Sequence, residues 1–117
     1  MIQHVALETR PVDVEGELGF WALLGFEPVD PPGDLGDRSA WVQRAGTQVH
    51  LLFADEPVVA PLGHVAVVAD DYAATVARLE GAGFAVEPRA RHWGAARAFV
   101  RTPAGHRVEL MAAPPLA

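Results

Sequence analysis

The stretch "AWVQRAGTQVHLLF", residues 40–53, reads as two extended runs around Ala45-Gly46. It returns as "AFVRTPAGHRVELM", residues 98–111, with one residue inserted at the turn. Trp41 then aligns with Phe99, and His50 with Glu109, at offsets of 58 and 59. Working outward, "IQHVALET" at 2–9 matches "LGHVAVVA" at 62–69, and "LLGFEPV" at 23–29 matches "GAGFAVE" at 81–87. Those pairs put His64 60 residues after His4, and Gly83 58 after Gly25. Four matches in the same order at nearly one spacing make the chain two copies of one supersecondary unit.

Each copy reads β-α-β-β-β, which predicts an α+β fold of two tandem modules within one domain, 1–117. Module one covers about 1–54, a Pro-rich linker 55–61, and module two about 62–113. In the first, a strand at 2–8 leads to Pro11, whose fixed φ suits a helix start. The helix is expected over 13–24, with Val14, Leu18, Trp21 and Leu24 on one face and Gly25 closing it. Gly16 and Gly19 weaken it by about 1 kcal/mol each against alanine. Strands follow at 26–30, 39–44 and 47–53, the last two a hairpin. In the second, Asp70 is the expected cap of a helix over 71–82 that Gly83 ends. Strands at 84–88, 96–102 and 106–112 complete it, with a loop at 89–95. The tail "APPLA", 113–117, reads as frayed or as a dimer contact.

Side chains alternate across a sheet. Val5 and Leu7 therefore oppose His4 and Ala6, and Val49, Leu51 and Phe53 oppose Gln48, His50 and Leu52. In module two, Val65 and Val67 oppose His64, Ala66 and Val68, while Val108 and Leu110 oppose Arg107, Glu109 and Met111. Each strand has an apolar face fit to cover a helix and an opposite face carrying one His or Glu. The repeat puts His4, His50, His64 and Glu109 on equivalent strands facing one cleft. Such groups are costly to bury unpartnered. A divalent metal would join them, and neutral imidazole with carboxylate oxygen suits Zn, Ni, Co, Mn or Fe(II). The alternative is a structural or surface role, which is the reading for His92 in its loop and His106 at its turn. His50 has a further alternative, a hydrogen bond to a metal-bound water or to substrate. Across the hairpin from His50 stands Trp41, and Phe99 is its counterpart; both are cleft walls or plain core.

The 117 residues carry a net charge of −6, and every basic residue other than histidine is arginine. Residues 1–60 hold ten acids and three Arg, and 61–117 five acids and six Arg. With no basic stripe, nucleic acid is not an expected partner. The Arg-richer half reads as scattered surface charge, or as a place for an anionic small molecule met by Arg97, Arg101 and Arg107. Trp93 and His92 stand in a loop able to cover its mouth. Without cysteine there are no disulfides or thiolate sites. No apolar run is long enough for a membrane span, and the N-terminus lacks a signal-peptide pattern, so the expected location is cytoplasmic.

The segments "QHVAL" (3–7), "FWALLGF" (20–26), "GHVAVVADD" (63–71), "LEGAGF" (79–84) and "TPAGHRVELM" (102–111) resemble the vicinal oxygen chelate superfamily over essentially the whole chain. This group includes glyoxalase I, methylmalonyl-CoA epimerase, extradiol dioxygenases, fosfomycin-resistance transferases and bleomycin-binding proteins. Thr102 stands where the family commonly has Asp. The resemblance implies two βαβββ modules in a cupped mixed sheet around a metal, often in a homodimer. The ligands it implies are His4 and His50 from one module, and His64 and Glu109 from the other. At the position of His50, bacterial glyoxalase I commonly has Glu and the epimerase Gln. Dioxygenases and fosfomycin transferases use only the equivalents of His4, His64 and Glu109. By the same resemblance, the activity is a glyoxalase I-like lyase or isomerase reaction. It acts on a small substrate with vicinal oxygens through a metal-stabilised enediolate, with Glu109 as base. The alternatives are an Fe(II) extradiol-type dioxygenase and a non-enzymatic drug- or metabolite-binding protein. Thiol transfer to an antibiotic epoxide lacks its Lys/Ser potassium loop here.

Overall fold

The computed structural model describes residues 1–115; the last two residues of the "APPLA" tail, 116–117, lie outside the described residues. The chain divides into two compact units, Met1–Val59 and Ala60–Ala117. Unit one runs β1 (His4–Thr9), a 3-10 turn (Pro11–Asp13), α1 (Val14–Leu23), β2 (Glu27–Val29), a second 3-10 turn (Gly33–Asp37), β3 (Ser39–Arg44) and β4 (Thr47–Phe53). Unit two runs β5 (Val65–Val68), α2 (Tyr72–Gly81), β6 (Glu87–Pro88), β7 (Arg97–Arg101) and β8 (Arg107–Met111). The sheet orders are β1-β4-β3-β2 and β5-β8-β7-β6. In each, the first and last strands pair in parallel and the rest antiparallel. Two four-stranded mixed sheets with one helix apiece make the fold α+β, as the repeat predicts. No described helix is long and apolar enough to cross a membrane.

The β3–β4 turn follows from its residues. Ala45 and Gly46 have φ of 48° and 84°. Two positive angles in a two-residue connection match the right-handed twist of the strands they join. Both helices end alike. Gly25 N donates to Ala22 O and Phe26 N to Trp21 O; Gly83 N donates to Glu80 O and Phe84 N to Leu79 O. This pair of bonds is the Schellman closure, which needs a residue at positive φ, and Gly25 (88°) and Gly83 (92°) supply it. The Phe84 amide is spent on closing α2, so the expected strand 84–88 cannot begin there, and β6 is only Glu87–Pro88.

The N-terminal cap of α2 is Asp71, whose Oδ1 accepts from Ala74 N at 3.0 Å, and not Asp70 as expected. In α1 the buried residues are Glu17, Phe20 and Trp21, with Leu24 buried just beyond. Val14 and Leu18 are only half-buried, so the buried face differs from the one expected. Around these, Phe26, Val42, Val49 and Leu51 form the core of unit one, while Val67, Leu79, Val100, Val108 and Leu110 form that of unit two. Each such side chain contributes about 1.5–3 kcal/mol on burial. Gly19 is exposed, and a Cβ there would meet nothing within 4 Å. Gly19→Ala is accordingly expected to stabilise the protein by about 0.5–1 kcal/mol, read as a higher urea midpoint at unchanged slope. A lower midpoint would show that α1 needs the glycine.

Candidate functional site

In unit one, β1, β4 and β3 lie side by side, with Ala6 and Trp41 flanking His50 in register and His4 opposite Gln48. Three rings stack across them. The His50 imidazole is 3.8 Å from the Trp41 ring at 5° and 4.1 Å from the His4 ring at 14°. Gln48 Nε2 donates to Gln43 Oε1 at 2.9 Å, leaving Gln48 Oε1 to accept from His50 Nε2 at 2.8 Å. The lone pair of His50 therefore sits on Nδ1. His4 donates from Nδ1 to Gln3 Oε1 at 2.6 Å, so its lone pair sits on Nε2. Burial, and then the neighbouring His4, push the His50 pKa below its ordinary value. His50 is thus neutral at neutral pH, the form a metal or a hydrogen-bond donor requires.

Imidazole lone pairs lie in the ring plane. Two rings nearly parallel and 4.1 Å apart aim theirs side by side, not at one point. In this rotamer pair only one of them can hold a given ion. His4 is the exposed partner, while His50 is buried at 8 % exposure between two rings. Turning is therefore easier for His4.

In unit two, Ala66 and Phe99 flank Glu109 in register. His64 immediately precedes β5. Its Nδ1 donates to Leu62 O at 2.9 Å, and its Nε2 faces Glu109 Oε1 at 3.1 Å. Arg97 Nη1 donates to the other oxygen, Glu109 Oε2, at 3.3 Å. The Phe99 ring stands perpendicular to His64 at 5.0 Å. With Nδ1–H spent on a carbonyl, a neutral His64 would turn a lone pair towards a carboxylate oxygen. The contact is attractive only with a proton or a cation between the two atoms. A separation of 3.1 Å is also what two donor atoms about 2.1 Å from one ion would span. The pair fits a divalent metal.

The structure thus brings His4 together with His50, and His64 together with Glu109, each pair within its own unit. Among the described residues no group of three or more His, Asp or Glu stands ready to hold an ion. Trp41 also walls a cleft of about 410 Å³ in unit one, with Leu35, Arg38, His50, Leu52 and Phe53. In unit two, Phe99 and Arg101 line one of about 540 Å³. Trp93 is half-buried and tied by its indole N–H to Ala113 O at 2.9 Å. His92 is exposed, and His106 is buried, its backbone N–H donating to Thr102 Oγ1 at 3.1 Å. Sequence reasoning missed Arg89, which lines the unit-two cleft, and the role of Gln48 in fixing the His50 tautomer. Period-two alternation from Glu87 and from His50 was the available signal for each.

The family model described as Glyoxalase/Bleomycin resistance protein/Dioxygenase superfamily matches residues 2–110. No curated protein sequence matches significantly. Among solved structures, a protein of Bacillus anthracis assigned to the glyoxalase family aligns with TM-score 0.84 and 21 % identity over 95 % of this chain and 93 % of its own. Lactoylglutathione lyase from Agrobacterium tumefaciens aligns with TM-score 0.70 and 23 % identity over 95 % and 92 %. The genomically encoded fosfomycin resistance protein FosX of Listeria monocytogenes aligns with TM-score 0.79 and 16 % identity over 97 % and 91 %. A mutant of the last is complexed with Mn(II) and a dihydroxypropylphosphonic acid. At these identities the likenesses establish the fold.

Proposed function

Since the chain belongs to the glyoxalase/bleomycin resistance protein/dioxygenase superfamily, we propose that it is a divalent-metal-dependent lyase or isomerase of glyoxalase type. Its substrate in this reading is a small molecule with oxygens on neighbouring carbons. The observation that carries the reading is His64 Nε2 facing Glu109 Oε1 at 3.1 Å while Leu62 O occupies the other ring nitrogen. His64 and Glu109 are the principal ligands, His4 the third, and His50 the fourth if its ring leaves the stack. A bound metal would act as a Lewis acid, drawing charge from the two substrate oxygens as a carbon-bound proton leaves. Glu109 takes that proton. Arg97, fixed by Ala90 O at 2.9 Å, holds Glu109 Oε2, so Oε1 is the oxygen free to exchange partners. Trp41 and His50 form a flat, neutral wall within unit one.

The working unit in this reading is a cytoplasmic homodimer. A sequestering protein that binds ligand without metal is the second reading, favoured by the absence of a three-residue cluster among the described residues.

Metal titration of chelator-stripped, untagged protein beside His64→Ala separates the two. About one tightly held Zn, Ni, Co, Mn or Fe(II) per chain is expected for the wild type, weakened about a hundredfold or more in the variant. Nickel, cobalt or zinc then directs assays to isomerase and lyase substrates, and iron to oxygenation. Equal, weak binding by both proteins would sink the metalloenzyme reading and leave the sequestering one.

A further inference from the structure

Phe99 stands opposite Glu109 and Arg101 opposite Arg107, so the face of β7 and β8 that carries Glu109 also carries Arg97, Arg101 and Arg107. The Arg107 guanidinium lies 3.8 Å from the Phe99 ring centroid, and those of Arg89 and Arg97 each lie 5.6 Å from it. One aromatic ring thus gathers three cations, held by its quadrupole. Two carboxylates answer them: Glu87 pairs with Arg89 at 3.1 Å and Glu109 with Arg97 at 3.3 Å. Arg101 and Arg107 meet backbone carbonyls, Gly105 O at 3.0 Å and Leu62 O at 3.4 Å. Four guanidiniums against two carboxylates leave a local charge of +2 on a chain whose net charge is −6. The surplus borders a cleft of about 540 Å³ lined by Leu62, Glu87, Arg89, Phe99, Arg101 and Arg107.

Like charges held this close repel one another, which works against the attraction each has for the Phe99 ring. A dianion in the cleft would remove that penalty. Guanidinium suits one in particular, because its planar fork donates two parallel N–H bonds to a pair of oxygens on one centre. Arg107 lies over the Phe99 ring and gives one N–H to Leu62 O, which leaves further donors of its fork for a ligand. We infer that this cleft binds a compact, doubly charged oxyanion of the phosphoryl or phosphonyl kind, with Arg107 and Arg101 as its principal donors and Phe99 as the platform that positions Arg107. The inference rests on the proposed function, of which it makes this group the anionic end of the substrate; Glu109 shares the sheet face and stands next to Phe99 in register.

The test uses the full chain stripped of metal, so that no ion can capture the anion. Inorganic phosphate and methylphosphonate are titrated calorimetrically at low ionic strength, with acetate as the singly charged control. Saturable millimolar or tighter binding of both dianions is expected, weaker for acetate and weakened by salt. Arg107→Gln should weaken it about tenfold or more. Phe99→Leu should weaken it without removing a charge, and Arg10→Gln, in unit one, should not; circular dichroism confirms that each variant is folded. Undiminished binding by Arg107→Gln, acetate binding as tightly as phosphate, or no saturable binding in the millimolar range would each overturn the inference. None of these touches the metal reading, which the His64→Ala titration decides separately. Phosphate binding in a protein that takes up no metal would keep the cleft and sink the metal centre.

Discussion

Trp21→Ala is expected to destabilise the protein by about 3–5 kcal/mol, a large part of the roughly 5–15 kcal/mol that holds a domain of this kind together. Trp21 is fully buried and meets Phe20 and Phe26 edge-on, with centroids 5.4 and 5.3 Å away. Its carbonyl also receives the Phe26 amide that closes α1, so the residue sits where helix end and core are fastened together. Deleting the indole opens a cavity that the rigid Schellman closure cannot collapse to fill. Trp21→Phe separates packing from polarity. The indole Nε1 is buried and finds no hydrogen-bond partner among the described residues. Phenylalanine keeps most of the ring and removes that unpaired donor, so the two changes offset and the cost should fall below about 2 kcal/mol. Urea unfolding followed by circular dichroism reads both variants. Equal losses for Ala and Phe would mean that the indole N–H has a partner whose removal dominates.

That contrast marks where the sequence stops being informative. The repeat was legible because it needs only order and spacing. His4 and His64, Trp41 and Phe99, and His50 and Glu109 recur at nearly one offset, and the two sheets have the same strand order. The partnership of Trp41 with His50 followed from the two-residue turn at Ala45-Gly46, which fixes register. Helix α1 was harder to read. Ten residues with apolar side chains at 14, 18, 20, 21 and 23 have no single apolar stripe, and nothing local says that Glu17 goes inside. Tertiary packing chose the face. In α2, Asp70 and Asp71 are equally good caps by type, and only the backbone at 71, extended at φ −131°, ψ 96°, selects one. For the candidate site, alternation assigns a face but says nothing of rotamers. It put His4 and His50 on one face without indicating that they stack, and put Arg107 on the face of Glu109 without indicating that the Phe99 ring would gather three guanidiniums.

The largest functional effect is expected at Glu109. Glu109→Gln keeps the side chain's size and an oxygen able to accept from Arg97, but removes the charge and the basic oxygen. If Glu109 is the base, proton transfer to and from carbon should fall by about 10²–10⁴-fold. The measurement is entry of solvent deuterium into vicinal hydroxycarbonyl compounds, followed by proton NMR with metal-loaded protein, each variant's metal content being determined alongside. His50→Ala is the comparison. Its ring is neutral, stacked and already hydrogen-bonded to Gln48, so it orients without exchanging a proton, and its loss should cost less than about tenfold in the same assay. A Glu109→Gln protein that holds metal and still exchanges deuterium at the wild-type rate would remove Glu109 from the proton's path and leave it only as a ligand. If His50→Ala suffered the greater loss with its metal intact, the proton would belong to the other half of the molecule. His50 Nδ1, whose lone pair the Gln48 contact leaves open, would then be the base to examine.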